Sequence, residues 1–238
     1  MTFAAAFAAA ASAFGLSLSA SQQASFAKYN ELLLTWNEKV NLTAITQPQE
    51  VAVKHMIDSL SCHDPAIFPQ GAAVIDVGTG AGFPGLPLKI IRPDIALTLL
   101  DSLNKRLLFL QEVVSALGLT GVTLVHARAE EAGRLPAHRE RYQVATSRAV
   151  ARLNVLAELC LPFVGVGGNF VALKGAQYQE ELAEAARALK LLGGKVAEVR
   201  PVNLPGLADS RAVIYVAKQA RTPPAYPRRP SLPEKKPL

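Results

Sequence analysis

The stretch VIDVGTGAGFPG, Val74 to Gly85, constrains the fold more than any other part of this chain. An apolar run ends in Asp76, and Gly78, Gly80, Gly82 and Gly85 then fall within eight residues. Glycine loses more conformational freedom on ordering than any other residue, so such a cluster needs a compensating gain. That gain is close approach of backbone to a ligand where a strand ends and a helix begins. Two registers fit. Gly80, Gly82 and Gly85 match the G-x-G-x-x-G dinucleotide pattern, whereas Gly78, Gly80 and Gly82 match G-x-G-x-G preceded by Asp76. In a dinucleotide fold the first glycine follows the strand directly. Here that glycine is Gly78, and the sixth position counted from it is Phe83. An acid inside the strand end would also repel a pyrophosphate, but it suits a ligand carrying an ammonium group and a sulfonium centre.

The rest of the chain alternates in the manner of a doubly wound sheet. AVIDV, IALTLLD, VTLVHA, YQVATS and GNFVALKG read as strands, each followed by a helical segment. The helices are GLPLKIIRP, SLNKRLLFLQEVVSALGL, EEAGRL, AVARLNVLAELCLPFV and QEELAEAARALKLLGG. Two closing strands, KVAEVRPVNL and SRAVIYVAK, are expected to be antiparallel. Ahead of the first strand the chain is helical. Phe26, Tyr29, Leu33, Trp36 and Val40 form one apolar stripe, with Ser21 as the expected cap, and a second helix begins near Pro48. The last eighteen residues carry six prolines and read as extended.

Composition narrows the function. Cys62 and Cys160 sit in no pair motif, and the four histidines show no ligand spacing, so neither a disulfide framework nor a metal site is expected. The formal charge is +6, and five of those charges fall from Lys218 onward. A basic tail suggests a polyanion partner, most naturally a nucleic acid, against the alternative of a solvated tail that aids solubility. The opening MTFAAAFAAAASAFGLSLSA lacks the basic residues that precede a secretory apolar core and is short for a membrane span. It reads as an alanine-rich helix or a frayed extension.

In the register that begins at Gly78, the loop resembles the first motif of Rossmann-like S-adenosylmethionine-dependent methyltransferases. More of the chain agrees. YNELLLTWNEKVNLTAI, KHMIDSL, IDVGTGAGFPGLPLKI, LLDSLNKRLLFLQEV, HARAEE, TSRAVA, ALKG and YPRRPSLPEKKPL together resemble the RsmG (glucose-inhibited division protein B) family. These are ribosomal small-subunit RNA methyltransferases. The resemblance runs from about Leu16 to the C-terminus, with Ser231 standing where the family often has glycine. It implies an α/β, class I methyltransferase fold, with a doubly wound, mostly parallel seven-stranded sheet and an N-terminal helical segment. The expected organisation is an Ala-rich extension at 1–20, the helical segment at 21–70, the methyltransferase domain at 71–218 and a basic Pro-rich tail at 219–238.

By the same resemblance, the cofactor contacts are Gly78, Phe83, Asp101, Ser102, Leu103, Ala129, Glu130 and Arg148, with Asp76, Gly80 and Gly82 in the same loop. Asp101 suits ribose hydroxyls, and Ala129–Glu130 the adenine edge. Arg148 and Lys174, each after an apolar strand, are candidate substrate contacts. Asn41, His55 and Asp58 fall in family-like strings, with capping and helix packing as the plainer roles. No catalytic acid, base or nucleophile is expected, and no metal. The implied reaction is transfer to N7 of one guanine in 16S ribosomal RNA. That nitrogen carries a free lone pair, so alignment suffices. The implied enzyme is cytoplasmic, touches no membrane, works on the small subunit and needs to be no more than a monomer. Deleting residues 219–238 is expected to weaken RNA binding and leave the cofactor alone. Three other readings stay open: methylation of a small molecule or protein, an NAD-dependent oxidoreductase using Gly80–Gly85, and a non-catalytic RNA-binding protein.

Overall fold

The computed structural model describes residues 1–238. Its centre is a seven-stranded sheet. The strands are β1 (Ala73–Val77), β2 (Ala96–Asp101), β3 (Val122–His126), β4 (Tyr142–Arg148), β5 (Val164–Lys174), β6 (Gly194–Pro201) and β7 (Ala212–Lys218). They lie in the order β3-β2-β1-β4-β5-β7-β6, and β7 alone runs antiparallel to its neighbours. The sequence steps outward from β1 through β2 to β3 and then returns to the other side at β4. Such a reversal opens a crevice beyond the carboxyl ends of β1 and β4, where open α/β sheets bind ligands. Each central strand is buried on both faces, which is why AVIDV and ALTLLD read as continuous apolar runs.

One face of the sheet is covered by α1 (Phe3–Ala13), α2 (Ala20–Val40), α5 (Gly85–Ile91) and α6 (Asn104–Ala116). The same face carries a helical stretch of α3 (Pro48–Glu50), a π-helix at Val51–Ile57 and α4 (Asp58–Leu60). The other face is covered by α7 (Ala129–Ala132), α8 (Leu153–Cys160) and α9 (Tyr178–Leu191). A last turn, α10 (Leu232–Lys235), lies in the tail. No helix is long and apolar enough to cross a membrane.

Of the two readings of the alanine-rich start, the helix holds and the frayed extension does not. Phe3, Ala6, Phe7, Ala10 and Ala11 recur at helical spacing and are buried, with the Phe7 ring 4.6 Å from that of Phe26. Other expectations change. The cap of α2 is Ser19, not Ser21. Ser19 stands three residues before Gln22, and the two close a reciprocal capping box (Ser19 N to Gln22 Oε1 2.9 Å; Gln22 N to Ser19 Oγ 3.2 Å). Residues 149–152 are a loop, not the start of α8. Ala149 takes a left-handed φ of +56°, which ends β4 and carries the chain across the crevice. β5 starts at Val164, because its glycines let it continue alongside Tyr142 through a register shift.

The tail is docked rather than free, and it is not extended throughout, since α10 interrupts it. Arg228 is bound by Glu158 through four contacts of 2.6 to 3.0 Å, and Glu158 is fully buried. Arg139 donates to the carbonyls of Thr222 and Tyr226 at 2.8 Å each. Lys218 is buried too, its ammonium donating to Leu161 O, Leu192 O and the Thr222 hydroxyl. Burial lowers its pKa to about 8. Two of the six lysines and arginines from Lys218 onward are therefore part of the packing.

Candidate active site

The glycine loop is organised from beneath by Asp76. This side chain is fully buried, and its Oδ2 accepts from Thr79 Oγ1 at 2.7 Å and from Gly85 N at 2.9 Å. Burial pushes its pKa up to about 6. Gly78 N and Thr79 N both donate to Leu100 O, which ties the loop to β2. Gly78 has a φ of +69°, and a Cβ there would lie 2.7 Å from Val150 of the crossing loop. Gly82, at φ +95°, is wedged against Leu86 and the Tyr29 hydroxyl, which donates to Ala81 O. The chain thus needs glycine at both places for conformation and for space.

Above this loop lies a cavity of about 430 Å³. Gly78, Gly80, Phe83, Asp101, Ser102, Ala129 and Arg148 line it, as the sequence led one to expect. Asp76, Gly82, Leu103 and Glu130 do not. Asp76 and Gly82 act from below the loop. Leu103 contributes its backbone N–H, which donates to Asp101 Oδ1 at 2.9 Å. Glu130 turns to the tail, where its Oε1 accepts from Ser231 N at 3.0 Å and from Arg128 at 3.2 Å. Asp101 is itself engaged by Gly80 N at 2.9 Å and by Arg106 at 3.2 Å, which fixes its carboxylate at the end of β2. The wall also includes Thr43, Arg106, Arg128, Val150 and Glu234, which sequence reasoning missed. Arg106, Arg128 and Val150 lie near residues that were named, whereas Thr43 and Glu234 come from segments remote in the chain from the glycine loop.

A second cavity, of about 300 Å³, adjoins the first and shares His55, Arg148 and Ala149 with it. Lys54, Asp58, Lys174 and Arg211 also line it. Arg148 is the partition. Its guanidinium lies 4.7 Å from the Phe83 ring centroid, and its Nη1 donates to Asp58 Oδ2 at 2.7 Å and to the carbonyls of Lys54 and His55. The π-helix makes this possible, since it leaves carbonyls outside the ordinary helical ladder. His55 stacks on Phe83 at 4.7 Å and shares a 2.8 Å hydrogen bond with Thr43 Oγ1. Burial, aided by the charge of Arg148, lowers its pKa to about 4, so the ring is neutral. Asp58 also meets Arg211 at 3.3 Å. Lys174 lines this cavity, but its ammonium is held by Glu181 at 2.7 Å and Ala151 O at 2.8 Å. It fixes the crossing loop. Asn41 is the left-handed cap of α2 and lines neither cavity.

The larger cavity fits an adenosyl group joined to an amino acid. Its volume lies within the usual range for such ligands of about 300–1,000 Å³. A Cβ on Gly80 would meet only Gly78 O, at 4.0 Å, and would otherwise project at the cavity wall. Gly85, which the dinucleotide register requires, does not line the cavity; it packs between Asp76 and Leu99.

Comparison with known proteins agrees with this geometry. The family model for GidB, rRNA small subunit methyltransferase G, matches residues 22–208. A ribosomal RNA small subunit methyltransferase G from Alkaliphilus metalliredigens is 53% identical over 210 residues, covering 88% of each chain. One from Desulforamulus reducens is 48% identical over 221 residues, covering 93% of this chain and 92% of its own. Among solved structures, Aeropyrum pernix fibrillarin with natively bound S-adenosyl-L-methionine superposes with a TM-score of 0.51 at 14% identity. That match covers 68% of this chain and 73% of fibrillarin, and it concerns the fold. The fold is the Rossmann-like class I methyltransferase fold, the cofactor is S-adenosylmethionine, and the oxidoreductase reading falls. On the span and identity of these matches, the chain belongs to the rRNA small subunit methyltransferase G (GidB) family.

Proposed function

We propose that this S-adenosylmethionine-dependent methyltransferase modifies N7 of one guanine in the 16S RNA of the small ribosomal subunit, acting as a monomer in the cytoplasm. The observation that carries the reading is the second cavity, cationic and separated from the cofactor cavity only by His55, Arg148 and Ala149. Bound in the larger cavity, the cofactor supplies an electrophilic methyl on a sulfonium. The chain's own residues position the two reactants and exclude water. Arg148 uses only Nη1 toward the protein, which leaves the rest of its fork for the acceptor. Arginine reads the O6/N7 edge of guanine. The neutral ring of His55 lines the second cavity and offers a flat surface for a base to lie against. A nitrogen with a free lone pair loses no proton as it is methylated, and the partition holds no group poised to remove one. In structured RNA the edge that carries N7 lies in a deep, narrow groove, so the target guanine must be in a loop or an opened segment.

The test is transfer of labelled methyl to small subunits lacking the modification, to the naked RNA and to an unrelated RNA. Borohydride reduction and aniline scission then follow, which cut a chain at 7-methylguanosine. One cut in the small-subunit RNA is expected. Label that survives without scission would move the methyl to another atom. No label on any RNA, with the cofactor still bound, would move the substrate to a metabolite or a protein.

A further inference from the structure

We infer that Glu234, in the C-terminal segment, is a cofactor-binding residue that accepts a hydrogen bond from the exocyclic amine of the adenine. The inference rests on the reading of the larger cavity as the adenosyl site. Glu234 lines that cavity beside Arg128 and Ala129, at the carboxyl end of β3. The acceptor cavity lies at the opposite end, beyond β4, where it shares Arg148 and Ala149 with the first. A cofactor whose methyl faces the acceptor must extend its nucleoside across β1 and β2 toward β3. The base therefore ends where the tail arrives.

That end of the cavity needs an acceptor, because adenine presents two N–H donors on its amine. Glu130 does not line this cavity, and its Oε1 is held by Arg128 and Ser231 N. Glu234 makes no hydrogen bond or ion pair with the rest of the chain, yet its charge is close enough to help raise the pKa of Arg128, an effect led by Glu130. Its position is built. Arg228 on buried Glu158 anchors the segment on one side, and Ser231 N on Glu130 sets the turn. Pro233 is buried directly before it. The residues that sequence alone marks as a basic arm for RNA thus bring a carboxylate to the cofactor.

The experiment is calorimetry on the full chain with two ligands, S-adenosylhomocysteine and S-inosylhomocysteine, which carries a carbonyl in place of the amine. The wild type is expected to favour the adenosyl ligand by about tenfold, the value of one hydrogen bond to a charged group. Glu234→Ala should weaken S-adenosylhomocysteine by about tenfold and narrow the preference to about twofold, and Glu234→Gln, which keeps an acceptor, should restore part of it. Thermal melts of the variants should match the wild type, since Glu234 holds nothing else in place. A Glu234→Ala protein that keeps the wild-type preference overturns the inference, and so does a wild type that shows none. Failure of the wild type to bind either ligand would instead overturn the reading of the cavity, and this inference with it.

Discussion

The glycine loop and the C-terminal tail both stand out in the sequence, and the structure treats them in opposite ways. The loop carries unusual residues at fixed spacing next to an apolar strand, and it forms the floor of the cofactor cavity. The tail carries charge, and part of that charge is used inside the protein. Arg228 and Lys218 serve the packing, and Glu234 faces the cofactor cavity. Spacing that only one backbone conformation satisfies is a local property, so it can be read locally. A count of charges says nothing about which buried partner each charge will meet.

Four measurements sharpen or break this contrast. The largest effect belongs to the tail. Arg228→Ala strips the buried Glu158 of its partner and should destabilise the protein by about 3–5 kcal/mol, the cost of leaving a buried charge unpaired. Urea unfolding checks it. A loss under about 1 kcal/mol would mean that the tail lies on the surface after all.

In the loop, Gly78→Val forces a β-branched residue to φ +69° and into Val150. Cofactor affinity measured by calorimetry should fall by at least about 100-fold, with a smaller loss of stability from the strain. Unchanged affinity would remove the loop from the site.

Asp76 gives a subtler contrast, through pH. Its pKa rises from 3.8 to about 6 in the native state. Between those values the folded protein holds a proton that the unfolded chain has released, so stability contributed here falls as pH rises and stays lower above it. Asp76→Asn keeps an oxygen for Thr79 and Gly85 and removes that titration. Relative to wild type, the variant should gain on the order of 2 kcal/mol between pH 4 and pH 6. His55 titrates in the opposite sense, since its pKa is lowered to about 4, but both proteins share it. A difference that does not change with pH would place Asp76 outside the buried support of the loop.

The smallest effect isolates what remains of the basic tail. Arg229, Lys235 and Lys236 are exposed and make no ion pair. Replacing all three with alanine should lower the slope of log affinity for RNA against log salt by about 2, at roughly 0.7 per phosphate contact on single-stranded RNA. Cofactor affinity should hold. An unchanged slope would leave the tail with no electrostatic part in RNA binding.

Most of the fold was legible because strand and helix periods alternate cleanly from Ala73 onward. The errors lie where tertiary contacts override local pattern. Residues 149–152 look helical, yet Arg148, Lys174 and Val150 draw them into a loop over the crevice. The alanine-rich start left a frayed extension open, yet its face is buried against Phe26 and the π-helix. Within the site, backbone contributions at Gly78, Gly80 and Asp101 could be read, because a strand end announces them. The second cavity could be read only in part: His55, Asp58, Arg148 and Lys174 stood out singly, but that they meet, and that Lys54 and Arg211 join them, follows only from the fold.

The central claim is that the chain aligns a nitrogen lone pair with the methyl and removes no proton. The most direct test is the pH dependence of single-turnover methyl transfer to small subunits at saturating RNA and cofactor, from pH 7 to pH 8.5, above the pKa of about 6 that Asp76 has beneath the loop. His55, with a pKa near 4, does not change charge there. The account predicts a flat rate across that range, as N7 transfer requires. A tenfold rise per pH unit would show that a proton must leave the acceptor or a base, and would contradict it.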